Sequence, residues 1–590
     1  MIATLSNETE QILGITALVV ITERIDDVAL LIAQMIRMGL PKVLDKYIPK
    51  GRSQRALSWG WTATIWLAYI LTEGDHRKVS VEHYINGMRK TLSRLTGQKI
   101  EALDFSDDRL AHLLKHLSKN KIWNAVERDL DKDCIEIYQL PTKVVRCDMT
   151  TVSGFHAVQD GGLMQFGNSK DDPTRPQIKL AVASLDPMGM PLAIEVVSGE
   201  HADDTLYVRL IDRVNIALNK LGLLFVGDCK MSSLANRMHI ALGGHFYLSP
   251  LPNTGCTAQD MPEWINKGLD KAKDGSLEPL FRENELGEKV LIATAYEFER
   301  TQQQQVGEEI VTVPERVLVV HSPAHAERQS RGLEKRLDTA QKQIEALTPK
   351  VGRGKRQIVE EEKLTAAIAK ILKTQRVEGL LKVDYEKQSK TQTRYVGKGR
   401  GSSNREQRTT EKIRYQITAV QRNDTAIVAA KQRFGWKAFV TNAAKSALSL
   451  NDAVACYRKE YRVERIFNRL KSRLNIAPLF VKRNDQIKGL NHLLTLGVRV
   501  LTLIEFVIRR SLQNDKAKLP DLHPENHSKE TDKPTAERIL KAFDGITLTI
   551  IQDAVGNEVR RWLSPLTAVQ QAVLNRLGLE GAYGALGNSG

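Results

Sequence analysis

Residues 144–228 change from the two-residue period of β-strands to the longer period of an amphipathic helix and back, which leaves few possible folds. The predicted elements are strands at residues 144–149, 177–185, 191–198 and 223–226, and a helix at residues 205–221. The second and third strands are joined by a Pro-Gly turn that is typical of a hairpin. Strand, hairpin, helix and strand in this order predict a mixed sheet with helices packed on it.

The rest of the chain divides around this region. Its 590 residues are too many for one hydrophobic core and predict about three to four domains. The predicted segments are a helical DNA-binding domain at residues 1–140, the first part of the core at 141–250, an insertion of mixed helices and strands at 251–435, the second part of the core at 436–513, a polar linker at 514–534 and a helical C-terminal region at 535–590.

The charge of the chain favours a polyanionic partner. Lys and Arg exceed Asp and Glu by 86 − 70 = 16, and each phosphate that a cation neutralises releases condensed counterions. Basic residues recur through residues 1–140, which favours a DNA-binding region of the helix-turn-helix type. A helical bundle whose basic faces are merely solvated is the alternative.

Cysteines and apolar stretches bear on the compartment. The five cysteines are widely spaced and include no C-x-x-C pair, so neither a zinc site nor a disulfide framework is expected. No signal peptide is predicted at the N-terminus. Residues 490–508 are long enough to span a membrane, but Arg499 and Glu505 lie within them and favour a buried helix. We therefore expect a cytoplasmic protein without membrane contact.

Two acids follow apolar strand sequences. Asp148 lies inside VVRCDM, and Asp228 comes directly after the run LLFVG. An Asp in a buried strand is costly unless it is paired or bound to a metal, and open α/β sheets place ligands at the carboxyl ends of their strands. Phosphodiester cleavage requires about three carboxylates around two Mg²⁺ ions. Asp148 and Asp228 are therefore candidate metal ligands.

A third acid is expected from a helix that packs across the sheet edge. Residues 449–474 predict one helix, on which Tyr457, Glu464 and Lys471 are seven residues apart and share a face. Glu464 could hold a metal ion while its two neighbours bind a phosphate. Spacing alone fits equally an ordinary amphipathic helix whose charges face solvent, and this is the more common case.

The Y-x6-E-x6-K spacing of Tyr457, Glu464 and Lys471 resembles the signature helix of insertion-sequence DDE transposases with a long insertion before the last catalytic acid. The fuller family pattern is Y-x2-R-x3-E-x6-K. Here Glu460 stands where the Arg is expected, and Arg458 or Arg462 could take its place.

The two aspartates resemble the family's first and second acids by context, in VVRCDMT and LLFVGDCKM. The interval 464 − 228 = 236 residues fits a long insertion before the Glu helix. The resemblance implies an α/β ribonuclease-H-like catalytic core, a mixed sheet flanked by helices, with Asp148 on its first strand and Asp228 after its fourth. It also implies a helical N-terminal domain, a mixed α+β insertion and a helical C-terminal region.

The implied activity is hydrolysis at transposon ends, which frees a 3′-hydroxyl, and attack of that hydroxyl on target DNA. The implied catalytic and metal-binding residues are Asp148, Asp228 and Glu464. They would hold two Mg²⁺ ions, with Mn²⁺ able to substitute. The implied partner is double-stranded DNA, both terminal repeats and target, bound by a homodimer near the bacterial nucleoid. Candidate DNA contacts are Tyr457, Arg458, Arg462, Lys471, Lys230 and Trp436.

Some of these residues have simpler interpretations. Trp436 could stack on a flipped base, but a tryptophan in the core is the more common case. His201, Asp203 and Asp204 form an H-x-D-D cluster that resembles a metal motif, whereas capping of the following helix is the more economical explanation.

Two other functions compete with the transposase. A nuclease or resolvase of the same fold would share the three acids but would not need the helical domain or so long an insertion. A DNA-binding protein that descends from a transposase and no longer cuts DNA would be expected to have lost an acid.

Overall fold

The computed structural model describes residues 18–50, 57–169, 172–283, 288–306, 309–352, 354–396, 406–459, 461–523, 525–526 and 528–587. Its strands are β1 (Val19–Arg24), β2 (Val144–Ser153), β3 (Gln177–Leu185), β4 (Met190–Ser198), β5 (Leu224–Gly227), β6 (Phe246–Pro250), β7 (Glu278–Glu283), β8 (Lys289–Val306), β9 (Glu309–His321), β10 (Leu381–Tyr395), β11 (Gln407–Arg422), β12 (Trp436–Thr441), β13 (Thr547–Gln552) and β14 (Glu558–Leu563).

Its α-helices are α1 (Val28–Arg37), α2 (Leu40–Tyr47), α3 (Trp59–Glu73), α4 (Lys78–Asn86), α5 (Arg89–Thr96), α6 (Asp107–Leu117), α7 (Asn120–Tyr138), α8 (Asp204–Leu218), α9 (Leu234–Leu242), α10 (Gly255–Lys273), α11 (Pro323–Glu345), α12 (Glu361–Gln375), α13 (Asp424–Gln432), α14 (Leu450–Tyr457), α15 (Tyr461–Asn468), α16 (Asn484–Asp515), α17 (Ala536–Lys541) and α18 (Ala568–Leu577). Short 3-10 turns lie at Ala102–Phe105 and Gly584–Leu586, and a π-helical turn at Arg469–Arg473.

The centre of the fold is a mixed sheet with the strand order β4-β3-β2-β5-β6-β12-β9-β8-β7. β2, β3 and β4 are antiparallel neighbours, whereas β2, β5 and β6 are parallel. All nine residues of β3 are buried, as expected for a strand between two others with both faces covered. Near the middle of the sheet, the carboxyl end of β5 lies beside the centre of β2, where Cys147 pairs with Gly227.

The predicted insertion is not one separate unit. β7, β8 and β9 extend the central sheet, because β9 pairs with β12 and β12 pairs with β6. Residues 323–432 instead pack around a second core of their own, with Leu333 and Leu337 of α11 against Leu364 of α12 and the β10–β11 hairpin. The sequence predicted strands in the first half of this region but not their partners.

Helix α16 crosses the core. Among the described residues it is the one helix with the length and hydropathy of a membrane span, yet 94% of its apolar window is buried inside the protein. Arg499 is fully buried there and pairs with Asp131 at 2.8 Å. A Cβ on Gly489 would lie 2.0 Å from the carbonyl oxygen of Leu114, so this glycine lets α16 pack closely on α6. α16 is therefore the buried helix that the sequence predicted.

The prediction of a wholly helical C-terminal region is wrong. β13 and β14 form a hairpin, and β1 pairs with β13 to complete a three-stranded sheet. Residues 547–552 (TLTIIQ) are rich in β-branched side chains, and their pattern fits a strand better than a helix. Pairing of β1 with β13 therefore joins the N-terminal part of the described chain to its C-terminal part.

Candidate active site

Asp148 and Asp228 lie side by side on two adjacent central strands, Asp148 within β2 and Asp228 directly after β5. β2 and β5 are parallel, and Cys147 pairs with Gly227, so each aspartate is the next residue after a matched pair. Both side chains are half-buried and line one small cavity. The structure thus brings together the first two acids that the sequence predicted.

Gly227 is required by the tight turn that follows β5. A Cβ at this position would lie 2.6 Å from Sδ of Met231, 2.9 Å from Cβ of Met231 and 3.2 Å from the carbonyl oxygen of Cys147. No larger residue fits unless the turn moves. Gly227 therefore fixes the position of Asp228 relative to β2.

The Asp228 carboxylate is held by three donors. The Tyr207 hydroxyl donates to Oδ1 at 2.6 Å, and the backbone N–H groups of Lys230 and Met231 donate to the same oxygen at 2.9 and 3.3 Å. Burial, followed by the charge of Asp228, raises the pKa of the Tyr207 hydroxyl well above its ordinary value, so the hydroxyl stays protonated. Because all three bonds use Oδ1, Oδ2 is the oxygen left for a metal ion.

The donor set of this pair suits a hard cation. Oδ1 of Asp148 accepts the backbone N–H of Met149 at 2.7 Å. Burial raises the pKa of the neighbouring Cys147 thiol, which keeps it from serving as a thiolate ligand. Two carboxylates without a soft ligand match the preference of Mg²⁺ for oxygen.

Residues at the end of α14 and at the start of α15 also line the cavity between the aspartates. Tyr457 is 8% exposed, and its ring meets Phe439 edge-on at 4.8 Å. Tyr457 and Val463 line the cavity together with both aspartates, and its volume is about 10 Å³. That is roughly the space of one water molecule, and Asp228 also lines a neighbouring cavity of about 110 Å³ together with Tyr207 and Lys230.

The predicted continuous helix at residues 449–474 is wrong. α14 ends at Tyr457, α15 begins at Tyr461, and a π-helical turn at Arg469–Arg473 follows α15. Seven-residue spacing places side chains on one face only along an unbroken helix. Tyr457, Glu464 and Lys471 therefore do not share a face as the sequence spacing suggested.

Glu464 lies on an exposed side of α15. Its neighbours Val463, Ile466 and Phe467 are the buried residues of the helix. Among the described residues, no three His, Cys, Asp or Glu side chains lie close enough to hold one metal ion. Val463, the residue before Glu464, lines the aspartate cavity. Glu464 itself, the third predicted acid, does not form a metal-binding group with the two aspartates in the described residues.

Ion pairs hold α15 in this orientation. Glu505 of α16 accepts from both Arg465 and Arg469, and Arg462 pairs with Asp186 at the β3–β4 turn. A Cβ on Gly189 in that turn would lie 3.2 Å from the carbonyl oxygen of Arg462. The three ion-paired arginines and the close approach of Gly189 to Arg462 therefore fix the orientation of α15, and with it the position of Glu464.

The cations predicted to contact DNA have different surroundings. Arg458 donates to the carbonyl oxygen of Ile292 at 3.1 Å and to Oγ of Ser322 at 3.2 Å. Lys230 is exposed beside Asp228, whereas Lys471 is half-buried in the π-helical turn. Of the three, Lys230 is the one that lines a cavity with Asp228.

Trp436 is a core residue in this structure. It is 7% exposed and packs against Gly268 and the ring of His321, whose centroid lies 4.9 Å away. A Cβ on Gly268 would overlap the indole, so the glycine makes room for it. We therefore assign Trp436 to packing of the sheet, not to stacking on a base.

Two functional contacts were not predicted. Tyr207 was assigned only to a helix, although its hydroxyl binds Asp228. Asp203 is the N-cap residue of α8, but its side chain makes no capping hydrogen bond and pairs instead with the buried Lys179 at 2.7 Å. Helical periodicity marks Tyr207 as buried, but no signal in the sequence pairs residues 179 and 203. The predicted N-cap position of Asp203 is therefore confirmed, but its carboxylate forms an ion pair and no capping hydrogen bond.

Comparison with known proteins gives the family. The model of the family described as "Transposase DDE domain" matches residues 141–499, which includes both aspartates and Glu464. The chain therefore belongs to the DDE transposase family. A solved structure of the piggyBac transposase synaptic complex with hairpin DNA is similar at 7% identity, covering 87% of this chain and 79% of that one, with a TM-score of 0.35. No curated protein matches the chain.

Proposed function

We propose that this protein is a metal-dependent DNA transposase that cuts DNA at transposon ends and transfers the freed 3′-hydroxyl to target DNA. The observation that carries the proposal is the pairing of Asp148 and Asp228 on adjacent parallel strands, with Oδ2 of Asp228 left for a metal ion. Family membership gives the general class of chemistry.

The catalytic core is proposed to be ribonuclease-H-like. The order β4-β3-β2-β5-β6 supports this, because three antiparallel strands are followed by two parallel ones. Helix α8 connects β4 to β5. On this proposal residues 141–250 and 436–513 form the core, residues 1–140 bind transposon ends, and the module at residues 323–432 is the inserted part that contacts DNA.

The aspartate pair would hold Mg²⁺ or Mn²⁺, and Glu464 would complete the ligand set. When bound, divalent ions neutralise charge on the attacked phosphate and activate the nucleophile. The residues of the chain orient the carboxylates: Tyr207 fixes Asp228, and the backbone at Met149 fixes Asp148. On this proposal α15 shifts to bring Glu464 to the aspartates, because the three acids do not form one group in the described part of the chain.

The proposed partner is duplex DNA, bound by a homodimer at the bacterial nucleoid. The excess of 16 positive charges supports a polyanionic partner. Joining two transposon ends requires two active sites, which favours a symmetric dimer.

A catalytically silent DNA-binding protein is the second candidate. The observation that favours it is that, in the described part of the chain, Glu464 does not meet the aspartates. The two candidates differ in whether DNA is cut.

Strand cleavage separates them. A labelled duplex carrying the terminal repeats that flank the gene is incubated with wild type, Asp148→Asn and the control Asp260→Asn, whose side chain is exposed on α10, in Mg²⁺ and in EDTA. We expect Mg²⁺-dependent nicking at the repeat ends that Asp148→Asn abolishes and Asp260→Asn keeps. Binding without cleavage in both Mg²⁺ and Mn²⁺ would overturn the transposase proposal and support the silent candidate.

A further inference from the structure

A large groove lies on the opposite side of α15 from the aspartates. It has a volume of about 850 Å³ and is bordered by α15, the C-terminal half of α16, the segment that follows α16 and the β3–β4 turn. Along α16 its lining runs from Thr502 to Gln513, which is roughly 16 Å at 1.5 Å per residue. The groove is therefore long enough for a polymer, and not only for a small ion.

The lining of the groove is strongly basic. Seven cations face two acids, Glu505 and Asp532, which gives a formal balance of 7 − 2 = +5. The cations are Arg462, Arg465, Arg509, Arg510, Lys516, Lys518 and Lys533.

The arginines are fixed by the protein, and the lysines are not buried. Arg509 pairs with Glu505 at 2.9 Å, and Arg510 donates to the carbonyl oxygen of Tyr138 at 2.6 Å. Burial, and further the neighbouring Arg465 and Arg469, lower the pKa of Arg509 despite the opposing effect of Glu505, as expected where positive charge accumulates.

The exposed lysines Lys516, Lys518 and Lys533 lie where α16 ends and where the following segment returns to it. Their ammonium groups extend the positive surface beyond the guanidinium groups. An exposed lysine binds a phosphate as a compact point charge on a flexible stem.

Glu464 lies between this groove and the aspartates on the circumference of α15. Val463 lines the aspartate cavity, whereas Tyr461 and Arg465 line the groove. At about 100° per residue, Glu464 is rotated roughly 100° from Val463, toward the side on which Tyr461 and Arg465 lie. A strand that follows the groove would therefore pass Glu464 before it reaches the aspartates.

We propose that this basic groove binds the sugar–phosphate backbone of the DNA on which the protein acts. One DNA strand carries a phosphate about every 3.4 Å of helix axis, so the groove could face four or five of them. The proposal rests on the proposed function for the identity of the polyanion and adds the surface that guides it past Glu464.

The test compares two triple variants of equal charge change. Lys516→Glu, Lys518→Glu and Lys533→Glu alter the groove, and Lys220→Glu, Lys273→Glu and Lys289→Glu alter exposed lysines elsewhere. A third set, Lys→Gln at the three groove positions, removes positive charge without adding negative charge. Anisotropy of a fluorescein-labelled 40-bp duplex is measured from 50 to 300 mM NaCl, and thermal melting checks folding.

We expect the groove variants to lose salt dependence as well as affinity. Each lost phosphate contact makes the negative slope of log K against log salt shallower by about 0.9 and lowers the affinity at 0.1 M salt about eight-fold. The control set should stay near wild type in both. Equal slopes and affinities in the groove and control sets would overturn the inference.

Cleavage by wild type on end-bearing DNA separates this inference from the proposed function. A wild type that binds DNA through the groove but never cuts would overturn the transposase and leave the groove as a DNA site. A wild type that cuts, with groove variants that bind DNA normally but no longer self-associate, would overturn the inference and assign the groove to a second copy of the chain.

Discussion

Removal of the Tyr207 hydroxyl tests how Asp228 is held ready for a metal ion. Tyr207 is 1% exposed, and its hydroxyl donates to Oδ1 of Asp228 at 2.6 Å. Hydrogen bonds to charged groups contribute about 1.5–3 kcal/mol, and loss of a group that orients a metal ligand typically lowers metal affinity by about 10–100-fold. Tyr207→Phe should therefore need about 10–100-fold more Mg²⁺ for half-maximal cleavage.

The matched control is Tyr247→Phe. The Tyr247 hydroxyl is also buried and donates to a carboxylate, Oε2 of Glu315, at 2.8 Å, but it does not line the aspartate cavity. Both variants should lose similar stability in urea, and only Tyr207→Phe should change the Mg²⁺ requirement and the Mn²⁺ affinity measured by calorimetry. Equal metal affinities in the two variants would refute the positioning role of Tyr207.

Two further predictions concern Gly227 and Asp27. Gly227→Ala places a Cβ 2.9 Å from Cβ of Met231, so cleavage should fall at least about ten-fold, and stability should fall by about 1–3 kcal/mol. The control Gly332→Ala, on α11 with nothing within 4 Å, should gain up to about 1 kcal/mol. Equal activity in both would contradict the tight turn. Burial raises the pKa of Asp27 from 3.8 to about 7. The folded state then holds a proton that the unfolded state has lost, so stability should fall by at most about 4 kcal/mol as pH rises from about 4 to 7. Asp27→Asn should flatten this part of the urea-midpoint profile, and an unchanged profile would rule Asp27 out as its cause.

The sequence predicted the aspartate pair because each aspartate lies in or directly after an apolar run that is typical of a buried strand. The run LLFVGD locates the end of β5, where open α/β sheets place ligands, and parallel pairing with β2 brings Asp228 beside Asp148, although β2 itself continues to Ser153. Their exact partners were not visible. The tyrosine that binds Asp228 and the Lys179–Asp203 pair join residues distant in sequence, and periodicity reports burial without naming the contact.

The sequence prediction was wrong where it assumed that a local pattern continues unbroken along the chain. The seven-residue spacing of Tyr457, Glu464 and Lys471 assumes an unbroken helix. In the structure α14 ends at Tyr457, and a π-helical turn follows α15 at residues 469–473. The strands at residues 278–321 were expected in an insertion, but their pairing with β12 extends the central sheet. Long-range pairing of this kind depends on tertiary packing, which a single sequence window does not contain.

On the proposed function, Glu464 acts with Asp148 and Asp228 to cut DNA. Cleavage of end-bearing duplex in Mg²⁺ should be compared for wild type, Glu464→Gln and Glu580→Gln, whose side chain is exposed in the C-terminal region, with binding measured on the same DNA. We predict that Glu464→Gln binds DNA like wild type and does not cleave it, while Glu580→Gln does both. Cleavage by Glu464→Gln at the wild-type rate would contradict the assignment of the third acid.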